Sequence, residues 1–347
     1  MQGFVHDQLT SRVVFGAGTS RAVLGDEVER LGAARVLVLA STRDEERVAT
    51  LTRPLGDRVA GVFNAVREHV PLPTAEAARA AAKQAGADVL VAIGGGSTIG
   101  AAKAVALTAR LPIVAVPTTY AGSEVTPVWG LTENGRKTTG TDPAVLPRVV
   151  VYDPELLATL PPDLAAASGF NALAHAVEAL WAPRRNPAST ATATEAMARL
   201  AAGLRTGDPA ELLCGAWLGA SAFAAAGSGL HHKLCHVLGG SFGLPHAATH
   251  TVMLPHATAY NESVARAELR PVAELLGAPT AAEGLYALER RLGAPLTLRE
   301  LGMPESGLDR AADAAMADPY WNPRPLDRER LRQLLADAYA GRPPRLD

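Results

Sequence analysis

Two hydrophobic rhythms divide the chain. Up to about residue 150, short runs of β-branched and aliphatic residues alternate with alanine-rich stretches whose apolar positions recur every three or four residues. That is the pattern of parallel strands joined by crossover helices. It predicts strands over 12–15, 35–40, 59–63, 88–93, 113–117 and 149–152, and helices near 19–31, 44–53, 74–85 and 97–109. After Asp153-Pro154 the rhythm changes, and from Pro161 onward alanine and leucine recur at helical spacing with no further strand run. The expected architecture is an α/β domain over residues 1–155, with a doubly wound parallel sheet, followed by an all-α domain over 156–347.

Composition narrows the classes of function. Hydrophobic residues make up 48% of the 347 positions against 20% charged, enough apolar matter for sizeable cores. The 33 Lys+Arg against 35 Asp+Glu leave a net charge of -2, so no polybasic field exists to hold nucleic acid or an anionic membrane. Apolar stretches are broken by Lys103, Arg110 or proline before they reach membrane length, and the N-terminus lacks a cationic start followed by an apolar run. The two cysteines, Cys214 and Cys235, form no CxxC pair. These features predict a cytoplasmic, disulfide-free protein acting on small molecules.

Chemistry concentrates in two places. The first is the run of strand 88–93, Gly94-Gly95-Gly96, Ser97-Thr98 and a helix: glycines let backbone N–H groups approach an anion, and the helix N-terminus adds positive potential. Ser97 or Thr98 is expected to cap that helix. A second loop, Thr118, Thr119 and on to Ser123 and Thr126, follows another buried strand at the same carboxyl edge, where open α/β sheets bind ligands. Gly16 and Gly18 form a weaker GxG turn. Strand 35–40 ends in Ser41-Thr42-Arg43 without a carboxylate, Asp44 coming later at a helix start, so a ribose 2′-phosphate should be tolerated. A nicotinamide dinucleotide, NADH or NADPH alike, is the expected cofactor, although Arg43 reads equally well as a solvated loop charge.

The second place is a set of histidines. Seven of the nine fall between 175 and 256. Asn171 and His175 are four apart in an alanine-rich helix, which puts them on one face, and His232 and His236 repeat the spacing. His246, His250 and His256 follow. Imidazoles with pKa near ~6.5 bind carboxylates and give protons at neutral pH.

In order, FGAG at 15–18, GGGS at 94–97, PTT…GSEVT at 117–126, SGFNALAHAVEA at 168–179, HHKLCHVLGG…LPHA at 231–247 and NPRP at 322–325 resemble the iron-containing (group III) alcohol dehydrogenases over nearly the whole chain. Gly100 and Asn171, where metal-dependent members look like GGGSxxDxAK and xGxDAxxHAxE, resemble the maleylacetate reductase branch. The resemblance implies the dehydroquinate-synthase-like fold of a nucleotide domain and a helical domain. It also implies NAD(P)H-dependent reduction of the C=C of 2-maleylacetate to 3-oxoadipate in aromatic degradation, by hydroxyquinol, resorcinol or chlorocatechol routes, and a homodimer. Metal ligands of the relatives would match Asn171 (an Asp there), His175, His232 and His246, with His236 beside the nicotinamide. The neutral Asn171 weakens metal binding, so no tightly bound Fe²⁺ or Zn²⁺ is expected. His236, with His232 or His246, is expected to protonate an enolate. Lys233, Lys137, Arg324 and His250 are candidates for the dicarboxylate, Arg324 reading equally as a brace for the C-terminal helix. A metal-dependent alcohol or glycerol-type dehydrogenase is the alternative. A lyase using NAD, a reductase of another unsaturated oxo-diacid and a non-catalytic nucleotide binder are further readings.

Overall fold

All six predicted strands lie in one parallel sheet. A computed structural model describes residues 3–6, 9–133 and 136–346, with the backbone alone at 136–137. Strands β1 (Arg12–Phe15), β2 (Val36–Leu39), β3 (Val59–Phe63), β4 (Val89–Gly94), β5 (Ile113–Pro117), β6 (Val128–Glu133), β7 (Arg136–Thr141) and β8 (Val149–Tyr152) follow in chain order. The sheet runs β1-β8-β5-β4-β2-β3. Its central strands read as unbroken apolar runs because both faces are covered. Val36, Val38, Val89, Val91, Val114 and Val116 share one core with Leu24, Val28, Val48 and Leu51, which come from helices α2 (Leu24–Arg30) and α3 (Glu45–Thr52), beyond a short α1 (Thr19–Ala22). Helices α4 (Leu72–Ala85) and α5 (Gly96–Ala109) also pack on the sheet.

Two expectations needed correction. Helix 19–31 is broken at Val23 into α1 and α2. The antiparallel hairpin β6–β7, paired from Val128↔Thr141 to Glu133↔Arg136, was not anticipated.

The chain divides into residues 9–160 and residues 161–347, the latter joined by residues 1–8. Among the described N-terminal residues, His6 Nδ1 lies 3.2 Å from the Asn186 amide nitrogen. The helical unit holds α6 (Pro162–Ala179), α7 (Pro187–Thr206), α8 (Pro209–Ala226), α9 (Leu230–Phe242), α10 (His246–Glu262), α11 (Arg266–Leu276), α12 (Ala281–Arg291), α13 (Gly307–Ala317) and α14 (Arg328–Ala340). Asn186, Asp208, Thr280 and Asp327 cap α7, α8, α12 and α14 with their side chains. Leu234, Leu238, Met253, Leu308, Leu331 and Leu335 form a core shared by α9, α10, α13 and α14. Contrary to the expectation that apolar stretches break before membrane length, one helix among the described residues, α8, is long and apolar enough to cross a membrane by length and composition alone. It packs against α6 and α7, as a core helix does.

Candidate active site

In the α/β unit the anticipated loops meet at one edge. Gly94 closes β4 at φ 154°, and a Cβ there would stand 2.4 Å from Thr98 Oγ1. The Thr118 N–H donates to Gly94 O at 3.1 Å, and a Cβ on Gly95 would touch Thr119 at 3.1 Å, so the two loops pack on each other. Neither Ser97 nor Thr98 caps α5. Gly95 is its N-cap, and no side chain caps it. An uncapped, glycine-lined helix start is an anion site in waiting.

Lys103, which the sequence reading passed over, organises the second loop. It is fully buried, and its ammonium donates to Ser123 O, Thr126 O and Val128 O at 2.6, 2.8 and 2.8 Å. It also reaches Thr126 Oγ1 at 3.1 Å, so that hydroxyl serves the fold. Burial lowers Lys103 to about 7, while the neighbouring Glu124 is raised by burial and bonded to Tyr152 OH at 2.9 Å. The Gly16–Gly18 turn is likewise employed internally, since Gly18 N–H donates to the buried Asp153 carboxylate at 2.9 Å. Ser41 is half-buried and Thr42 exposed at the end of β2.

In the helical unit, α6, α9 and α10 bring the histidines together. Asn171 and His175 lie on α6, His232 and His236 on α9, and His246 and His250 on α10. Ring centroids of His175 and His232 are 5.1 Å apart, those of His232 and His250 4.8 Å, and those of His246 and His250 4.4 Å. Glu178, one turn beyond His175, fixes the geometry. Its carboxyl group accepts the His231 N–H at 2.9 Å, at the otherwise uncapped start of α9, and pairs with His232 Nδ1. His232 Nε2 is thereby left without a hydrogen-bond partner, as are Asn171 Oδ1, His175 Nδ1 and His250 Nε2, all buried.

Burial corrects the expected protonation. His175 is lowered to about 4 and His231 to about 3, and His232 and His250 are also pushed well down, so these rings are neutral at pH 7. Glu178 is pushed the other way, to about 8, by the same desolvation. His236 is half-buried and His246 exposed. His236 Nδ1 lies 3.2 Å from Tyr320 OH, and the Lys233 ammonium stands 5.1 Å over the Tyr320 ring. Lys233 is itself buried and reaches Asp318 at 3.4 Å.

Arg324 is not brought into this cluster. Its guanidinium lies 4.8 Å over the Tyr260 ring and donates to Tyr260 O at 2.9 Å, the bracing role. The Lys137 side chain lies outside the described residues. His231 Nε2, His250 Nδ1 and Cys235 Sγ come within 4.8 Å of one another. The two nitrogens already share a hydrogen bond of 2.8 Å, so this trio satisfies itself.

Residues 10–154 match the family described as iron-containing alcohol dehydrogenase, and residues 165–339 the Fe-containing alcohol dehydrogenase family, C-terminal. The chain belongs to the iron-containing alcohol dehydrogenase family. It is 48% identical to the maleylacetate reductases of Sphingobium indicum and of Burkholderia cepacia, over 98% of this chain and 99% of each relative. It superimposes on the crystal structure of maleylacetate reductase from Agrobacterium tumefaciens with a TM-score of 0.95, at 45% identity, over 99% of this chain and 100% of that one.

The family name implies a divalent metal, and the residues at hand fit one poorly. The four positions that the resemblance matches to the relatives' ligands are Asn171, His175, His232 and His246, an amide and three imidazoles without a carboxylate. Glu178, the carboxyl group behind His232, is held protonated below about 8 and supplies no compensating charge at neutral pH. A hard divalent ion would keep its full charge in a buried place, which is costly.

Proposed function

We propose that this protein reduces the C=C bond of 2-maleylacetate to give 3-oxoadipate, with NADH or NADPH as hydride donor and without a resident metal. The observation that carries the reading is the donor set of the helical unit. Neutral, partnerless groups on Asn171, His175, His232 and His250 are grouped with accessible histidines and a buried cation, Lys233. Such a set suits an anionic substrate whose charge shifts during reaction. The full-length similarity to maleylacetate reductases supports the same substrate.

Hydride added to the alkene carbon β to the ketone moves the π electrons onto the ketone oxygen, forming an enolate. Hydrogen-bond donors facing that oxygen lower the barrier, and a proton returned to the α carbon restores the ketone. With Glu178 protonated, its O–H donates to His232 Nδ1, and the ring presents Nε2–H to the developing charge. The buried rings are too weakly basic to carry the proton, so His236, held by Tyr320, or His246 delivers it. Lys233 neutralises one substrate carboxylate. Dinucleotide pyrophosphate is assigned to the Gly94–Gly96 turn and the start of α5. A cytoplasmic homodimer completes the reading.

The test is consumption of reduced nicotinamide with maleylacetate by protein exhaustively treated with a chelator. Undiminished turnover is expected. Turnover that returns only with Fe²⁺ or Zn²⁺, or that appears only with simple alcohols and oxidised cofactor, overturns the reading in favour of a metal-dependent dehydrogenase.

A further inference from the structure

The end of β2 carries a carboxylate after all. Strands β2 and β4 pair in parallel, with Leu39 opposite Ala92. Two residues on, Ser41 follows β2 where Gly94 ends β4, and Ser41 is held there by a bridge to Ala65. In open α/β sheets a dinucleotide runs from the glycine turn across the end of the neighbouring strand, where its adenosine ribose is read. Asp44 folds back onto that position. Its N–H donates to Ser41 O at 3.0 Å, and its Oδ2 accepts from Ser41 Oγ at 2.6 Å. The other carboxylate oxygen pairs with Arg47.

This arrangement decides which ribose the strand end accepts. A hydroxyl has one hydrogen, and that of Ser41 is engaged by Asp44, so Ser41 Oγ faces outward only as an acceptor. A ribose 2′-hydroxyl can donate to it. A 2′-phosphate brings acceptors and negative charge next to a fixed carboxylate, while the charge of Arg47 is already matched. Arg43, the other cation of the turn, is exposed to solvent. We propose that Asp44, acting through Ser41, makes the enzyme select NADH against NADPH, in place of the dual use that the residue types alone suggested. The proposal rests on the nicotinamide reading above.

The experiment compares kcat/KM for NADH and NADPH, at saturating maleylacetate, in the parent protein, Asp44→Asn and Ser41→Ala. It also measures binding of each dinucleotide alone by quenching of tryptophan fluorescence. The parent should favour NADH, and Asp44→Asn, which removes the charge, should raise the NADPH-to-NADH ratio about tenfold or more. Ser41→Ala should raise KM for NADH several-fold with kcat held. A ratio in Asp44→Asn within about twofold of the parent, or a parent that prefers NADPH, overturns the proposal. If Asp44→Asn does not fold, an unchanged NADH KM in Ser41→Ala overturns it instead. Selective binding of NADH without turnover of maleylacetate would refute the substrate and leave this inference standing.

Discussion

Glu178 carries more of the site than any residue the spacing singled out. It is fully buried, serves the first N–H groups of α9 from α6, and sets which nitrogen of His232 faces outward. Because burial holds it protonated below about 8, glutamine is its close mimic at neutral pH: the amide can accept from His231 N–H and donate to His232 Nδ1. Glu178→Gln should therefore keep kcat/KM within about threefold near pH 7 and lack the decline expected of the parent above about 8. Glu178→Ala strands a buried N–H and a ring nitrogen, and should abolish most activity. Steady-state kinetics across pH checks both, and a glutamine variant as inactive as the alanine one would sink the assignment. His236→Ala should lower kcat/KM at least about tenfold, and a smaller loss removes its proton-transfer role. The signal for Glu178 was present, since Asn171, His175 and Glu178 stand at i, i+4 and i+7 on one helix face. Tyr320 and Lys103 gave no such signal, because their partners are 84 and 20 or more residues away and no period links them.

At the scale of elements, the parallel strands were legible because a strand buried on both faces has nowhere to place a polar side chain. The run at 89–93, all buried, is the clearest case. The β6–β7 hairpin escaped because Arg136–Thr141 is polar throughout and its pairing lies outside the main sheet. The signal it did carry is Asn134-Gly135 between two alternating runs, a strong hairpin dipeptide. The closeness of α7 and α8 was legible only as small residues. A Cβ on Gly215 would lie 2.7 Å from Leu200 Cγ and 3.0 Å from the Leu200 backbone nitrogen, and backbone cannot step aside as a side chain does. Gly215→Ala should therefore destabilise by about 1–3 kcal/mol despite its better helix propensity. Thermal unfolding should show a midpoint lower by about 2–4 °C for each kcal/mol, and a raised midpoint would mean that the helices are free to separate.

Over the whole molecule, burial has left an unusual number of groups in their neutral forms, and linkage turns that into a stability profile. His175, His231, His232, His250 and His256 all lie below their ordinary 6.5. As pH falls through 6.5 the unfolded chain takes up protons that the folded one refuses, so stability is lost toward acid. Glu178, Glu262 and Glu289 lie above their ordinary 4.5, so the folded chain holds protons that the unfolded one releases, and stability is lost as pH rises. Between 4.5 and 6.5 the two sets oppose each other, with histidines in the majority; above 6.5 the carboxyl groups lead in the helical unit, joined toward pH 9 by the Cys235 thiol, which burial also raises. In the α/β unit Lys103, lowered from 10.5 to about 7, adds stability as pH rises above about 7, whereas Glu124, raised from 4.5, loses it as pH rises from 4.5. The stability maximum should consequently fall near pH 6.5, with Glu178 alone accounting for about 2 kcal/mol of the alkaline loss between about 6.5 and about 8. Glu178→Gln should flatten that limb and leave the acid one in place. Unfolding midpoints measured from pH 4 to pH 9 decide this: a parent that grows steadily more stable up to pH 9, or an alkaline limb unchanged in the glutamine variant, would show that Glu178 is ionised in the folded protein.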